Sequence, residues 1–86
     1  MQLLAPIVVV RYLAPTNTRG SRLKAFCPQR PDWKSVTVPF RYELNETERA
    51  ADAANAFIKE NPFALREAVP GDVNYFSPTD WLVVID

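Results

Sequence analysis

The sequence predicts a small α+β domain, an antiparallel sheet in the order βββα followed by one or more strands, with a single helix packed on one face. Three observations predict it. Residues 35–42 alternate apolar and polar side chains with the period of a half-buried strand. Residues 45–60 hold an alanine-rich apolar stripe at helical spacing, opened by a capping asparagine and closed by Asn61-Pro62. On either side lie short apolar runs, several rich in β-branched residues, bounded by proline, glycine and asparagine.

The first strand is expected over Gln2 to Leu13, with Pro6 placing its early part at an edge or bulge. Residues 14–19 form a turn, in which Pro15 presets φ and Thr16, Asn17 and Thr18 can bond nearby backbone. Gly20 offers conformational freedom where the chain reverses. Ser21 to Phe26 returns as the second strand of a hairpin. After a proline-marked loop, CPQRPDWK at residues 27–34, the third strand puts Val36, Val38, Phe40 and Tyr42 on one face. Thr37, Pro39 and Arg41 fall on the other, and Pro39, which cannot donate to a ladder, marks a sheet edge.

The helix begins at Asn45, with Glu48 completing a capping box. Ala50, Ala53, Ala54, Phe57 and Ile58 form its apolar stripe, and a left-handed cap at Asn61 ends it. Residues 64–69 are expected as a strand, 70–72 as a turn and 73–76 as an extended segment. Residues 77–80 form another turn, and the run WLVVI at residues 81–85 reads as a strand buried on both faces.

With 86 residues the chain makes one domain, residues 1–86, with a single modest core. A lone cysteine, Cys27, gives no internal disulfide, and the absence of histidine excludes histidine-based catalysis and the common zinc sites. The apolar start is interrupted by Pro6 and Arg11 and lacks a basic leader, so a cytoplasmic protein without membrane contact is expected. The net charge is zero but uneven: seven of the ten cations lie in residues 1–41, against Asp32 alone among the acids. Such asymmetry marks either a polyanion-binding face or two halves that attract each other on folding.

No motif indicates an enzyme. The loop Thr16-Asn17-Thr18-Arg19-Gly20-Ser21-Arg22 has hydroxyls, a glycine and two arginines, yet lacks the spacing of a P-loop, so hairpin chemistry accounts for it. Cys27-Pro28 has no second haem ligand, and no cofactor or metal is expected. The acids of the helix lie on or near its solvent face, and those of the first turn complement its dipole. Ser77, Thr79 and Asp80 have no partner base.

Strand alternation then assigns faces. Arg11, Arg22, Lys24 and Arg41, with Phe26 between them, are expected on the sheet face away from the helix. Trp33, in the basic loop, is either a stacking anchor or a cover for the edge of the core, and Trp81 is expected in the core. The expectation is therefore a small non-enzymatic protein that contacts nucleic acid through a basic sheet face and hairpin loop. Arg11, Arg19, Arg22, Lys24 and Arg41 would neutralise phosphates, and Phe26 or Trp33 would stack on a base. The alternative is a protein-interaction module, an adaptor or inhibitor acting as a monomer or weak homodimer, which would use the same loop with Ile7, Val9 and Trp33. A face charged for solubility alone is the third reading.

The segment Tyr12 to Ala25, YLAPTNTRGSRLKA, resembles the hallmark of a group of short uncharacterised proteins of bacteria, their phages and mobile elements. That hallmark is Tyr-Leu-Gly/Ala-Pro-Thr-Asn followed by Arg-Gly-Ser/Ala-Arg and Lys-Ala. The similarity extends loosely to Thr37-Val38-Pro39-Phe40 and the alanine-rich helix, and not to CPQRPDWK or VPGDVNYFSPTDW. The resemblance implies a non-enzymatic accessory of a bacterium or mobile element, and brings no activity with it.

Overall fold

Alternation in the first strand decides the architecture. The computed structural model describes residues 7–62 and 66–85. Within them β1, Ile7–Leu13, sends Val8 and Val10 to one side, where both are 0% exposed, and Ile7, Val9, Arg11 and Leu13 to the other. It lies at the centre of a five-stranded antiparallel sheet. On one side it pairs with β2, Arg22–Phe26, which pairs in turn with the edge strand β3, Val36–Pro39. On the other it pairs with β5, Asp80–Val84, whose outer neighbour is the short β4, Val73–Tyr75. The order is β3-β2-β1-β5-β4. The sheet and its single helix are the expected α+β fold, and β3 is the edge strand that Pro39 implied.

The helix α1, Glu46–Glu60, covers one face. The Asn45 side chain accepts the Glu48 amide at 2.9 Å, and the Glu48 carboxylate accepts the Asn45 amide at 3.0 Å, so the expected capping box is formed. Ala50, Ala51, Ala53 and Ala54 are buried, and their small side chains let the helix approach the sheet closely. Phe57, the largest fully buried side chain among the described residues, fills the space beside Val8, Val10, Leu23, Ala25 and Val83 in the same core. The flanks are closed by Trp33, 6.1 Å from the Phe57 ring, and by Phe40, edge-on to Tyr12 at 5.7 Å. On the opposite flank the Trp81 indole, partly buried against the core, donates to Glu46 at 2.8 Å.

Several expectations give way to longer-range contacts. The third strand ends at Pro39 rather than Tyr42, and Tyr42 is 76% exposed instead of facing the core. Asn61 does not adopt a left-handed conformation (φ −132°, ψ 79°). Its side-chain Nδ2 instead donates to the Phe57 carbonyl at 3.3 Å and the Lys34 carbonyl at 2.8 Å, and its Oδ1 accepts the Lys34 backbone amide at 3.0 Å. It therefore ends the helix and clamps the Trp33 loop in one step. Gly20 has no positive φ, so the hairpin does not use its freedom.

Of the expected strand over 64–69, residues 64 and 65 lie outside the described residues, and 66–69 join no ladder. Ala68 is instead held by the side chain of Asn55, which donates to its carbonyl at 2.9 Å and accepts its amide at 2.6 Å. The expected early strand residues 2–6 also lie outside the described residues. The turn at Pro70–Asp72 is a short 3-10 segment.

Two outcomes follow from this core. Phe57→Ala should cost about 3–5 kcal/mol in urea unfolding, about a quarter or more of the roughly 4–13 kcal/mol expected for a domain of this size. The second concerns Asp72, whose carboxylate is held down from 3.8 to about 2 by hydrogen bonds from Arg66 and the Val69 amide. A carboxylate with a lowered folded pKa stabilises the fold above its unfolded pKa and loses that contribution as pH falls. Asp72→Asn should therefore lower the urea midpoint at neutral pH, with the deficit closing between about pH 4 and pH 2.

Candidate nucleic-acid interface

The face of the sheet opposite α1 is ordered by strand register. One row across it runs Thr37, Lys24, Arg11 and Asp80, each directly opposite the next on β3, β2, β1 and β5. The neighbouring row runs Phe26, Val9, Leu82 and Asn74. Towards the hairpin a third row holds Pro39, Arg22 and Leu13. At the far end Ile7 lies opposite Val84. Arg11, Arg22, Lys24 and Phe26 therefore converge on one face, as the alternation required. Asp80 is the one acid among the described strand residues there.

Arg11 sits between a like charge and an opposite one. Its guanidinium donates to both Asp80 oxygens, at 3.1 and 3.3 Å, and Asp80 is only 8% exposed. The Asp80 hydrogen bond, and then its charge, raise the pKa of Arg11 further. On its other side Arg11 faces Lys24, an arrangement that costs stability in an antiparallel pair. Phe26 mediates between the two cations: its ring lies 5.1 Å from the Arg11 guanidinium carbon and 5.6 Å from the Lys24 ammonium. Such cation–π contacts at an exposed site are weak enough to exchange for a phosphate.

The hairpin tip is built by its own hydroxyls. Thr16 Oγ1 accepts the Arg19 amide at 3.1 Å and the Thr18 amide at 3.4 Å, and the Thr16 amide donates to the Arg19 carbonyl at 2.7 Å. The amides of Thr16, Thr18 and Arg19 are thus spent within the turn. Tyr12 and Ser21 join their hydroxyls at 3.0 Å, and the Tyr12 amide reaches the Thr79 carbonyl at 2.8 Å, fixing the base of the loop. Arg19 stands exposed at the tip, and Arg22 bends back to the Gly20 carbonyl at 3.3 Å. A shallow groove between Gly20, Arg22, Thr37 and Pro39 connects tip and face. Arg19, Arg22 and Lys24 form no ion pair among the described residues.

Two expected members lie elsewhere. The ladder ends before Arg41, so alternation no longer sets its direction, and it turns to Glu43 at 3.3 Å and to Asp52 on α1 at 3.5 Å. Trp33 is packed against Phe57 on the helix side with the Arg30 guanidinium 5.4 Å from its ring, so it covers the core edge, whereas Ile7 and Val9 belong to the opposite face of the sheet. Sequence reasoning also missed Asp80 and the exposed side of β5. Leu82 and Val84 are only partly buried, so WLVVI is not covered on both faces. No local signal pairs residue 80 with residue 11, and a continuous apolar run has no period that shows which face is open.

Among the described residues no helix is long and apolar enough to cross a membrane, and no cluster of acids and cysteine could hold a metal ion. Comparison with known proteins finds no matching family model, curated protein or solved structure.

The Arg11–Asp80 pair is asymmetric, which makes it testable. Removing Arg11 leaves a largely buried carboxylate without its main partner, whereas removing the Asp80 charge leaves an arginine that can reach water. Arg11→Ala should therefore lower the urea midpoint at pH 7 more than Asp80→Asn does.

Proposed function

We propose that this protein is a non-enzymatic nucleic-acid-binding module that uses the helix-distal face of its sheet and the adjoining hairpin tip. The observation that carries the reading is the directly opposed Arg11–Lys24 pair around Phe26. Solubility is served by scattered charges, and a sheet gains nothing from two cations placed opposite each other. A polyanion relieves that repulsion, because a phosphate set between the two side chains gives Lys24 an opposite charge and adds to the one Arg11 has in Asp80. Arg22 and Arg19 continue the positive track towards the hairpin tip, and the groove beside Arg22 gives a backbone a path between them.

A titration of labelled oligonucleotide by fluorescence anisotropy at several salt concentrations tests this. Contact through Arg11, Arg19, Arg22 and Lys24 predicts a log–log slope of about −3 on a single strand. Lys24→Ala and Arg22→Ala should each weaken binding and make the slope shallower by roughly 0.7–1. Arg41→Ala, on the helix side, should leave it unchanged. Absence of binding at low salt removes the proposal.

One observation favours a second reading. Ile7, Leu82 and Val84, partly exposed around the buried Val9, form an apolar strip on the same face, suited to a protein partner or a second copy of the chain. Association through it would be insensitive to salt and lost in Leu82→Glu, with sedimentation as the measurement.

A further inference from the structure

We infer that the nucleic acid recognised by this face is single-stranded, with one unpaired base seated on Phe26 and the floor made by Val9 and Leu82. The inference rests on the nucleic-acid reading and narrows it to one substrate class. Phe26, Val9 and Leu82 are direct neighbours across β2, β1 and β5, so an aromatic ring and two aliphatic side chains form one continuous apolar seat. Phe26 and Leu82 are partly exposed on either side of the buried Val9, which lies beneath the seat, and Arg11 and Lys24 stand in the next row. A seat of this kind suits the flat face of a base, with its phosphates at the cations alongside. A base inside a duplex has both faces stacked on its neighbours and cannot enter it.

The arrangement of charge points the same way. Reading a duplex in the major groove calls for a protruding helix or two-stranded ribbon. The one helix here lies on the opposite layer and exposes Glu46, Glu48 and Glu60. The cations instead follow β2: Lys24 and Arg22 are two residues apart, about 6.8 Å along the strand, and Arg19 lies beyond them at the tip. A flexible single strand can follow this line from the Phe26 seat to the hairpin, while a stiff duplex would meet the flat face at few points.

The experiment compares a short fluorescein-labelled oligothymidylate with a labelled duplex of the same length, using the full chain and the variants Phe26→Ala, Phe26→Leu, Phe26→Trp and Lys24→Ala. The oligothymidylate should bind more tightly than the duplex. Phe26→Ala should weaken it about fivefold to over a hundredfold, the range expected for loss of one stacked base. The salt slope should stay unchanged, because no phosphate contact is removed. Phe26→Leu keeps apolar volume and should still weaken binding, while Phe26→Trp should restore it; circular dichroism of each variant separates a binding loss from a folding loss. If Lys24→Ala weakens binding while folded Phe26→Leu does not, or if duplex binds as tightly as oligothymidylate, the single-strand inference is overturned and the nucleic-acid reading stands. If neither oligonucleotide binds at low salt, both fall.

Discussion

The pairing of β1 with β5 is the contact on which the rest of the molecule depends. It joins the beginning of the described chain to its end, and places β1 between two partners so that its backbone is bonded along both edges. Its register is fixed by what each face can tolerate. A slip of one residue would exchange Val8 and Val10 for Val9 and Arg11, driving a guanidinium into the space beneath the helix. Arg11 therefore specifies which face of β1 is outside, and Asp80 rewards that register by meeting it across the β5 ladder. The residue that fixes the fold also stands at the centre of the basic face, so the site follows from the register.

One helix cannot cover five strands. An α-helix with its side chains is about 10–12 Å across, whereas five strands at about 4.8 Å spacing span roughly 19 Å between the outer two. The sequence makes up the difference with aromatic residues at the flanks: Trp33 and Phe40 on the β3 side, where the Phe40 ring meets Tyr12 of β1, and Trp81 on the β5 side. This is why Trp33 is committed to the fold, held there by the clamp that Asn61 makes with Lys34. Phe26 has no such duty. It projects from the opposite face, where the helix does not pack; its ring lies beside the two cations, and its ladder partner is Val9.

What was legible in the sequence was what local spacing determines. The Asn45–Glu48 box, the alanine stripe, the alternation of Val36 and Val38, and the edge position forced by Pro39 each rest on residues a few positions apart. So does the grouping of Arg11, Arg22, Lys24 and Phe26, which needs only that two adjacent strands alternate and pair as a hairpin. The failures lie where alternation was extended past its support. Arg41 follows the end of β3, and once the ladder stops its side chain goes to the nearest acids, Glu43 and Asp52. The pairing of Arg11 with Asp80 and the attachment of Ala68 to Asn55 are set by tertiary closure, which no local pattern encodes. The same holds for Asn61, whose capping partners come partly from a loop 27 residues away.

The uneven charge of the chain resolves into two layers. Arg11 with Asp80 and Arg41 with Asp52 do bind the basic half to the acidic half, so part of the asymmetry holds the fold together. Arg19, Arg22 and Lys24 are left outside those pairs, on the sheet face and its hairpin, while Glu46, Glu48 and Glu60 lie in the helix layer. A net charge of zero therefore describes the sum and not the surface that a polyanion would meet. At physiological ionic strength charges separated by more than about 8 Å of solvent are largely screened from one another, so the acids of the helix layer take little from the attraction of the sheet face. Their remaining effect is orientation: a phosphate chain would draw the sheet side inward and turn the helix side away. On the proposed reading, that orientation would bring Phe26 towards the strand rather than away from it, and so would tie the electrostatics of approach to the chemistry of the seat.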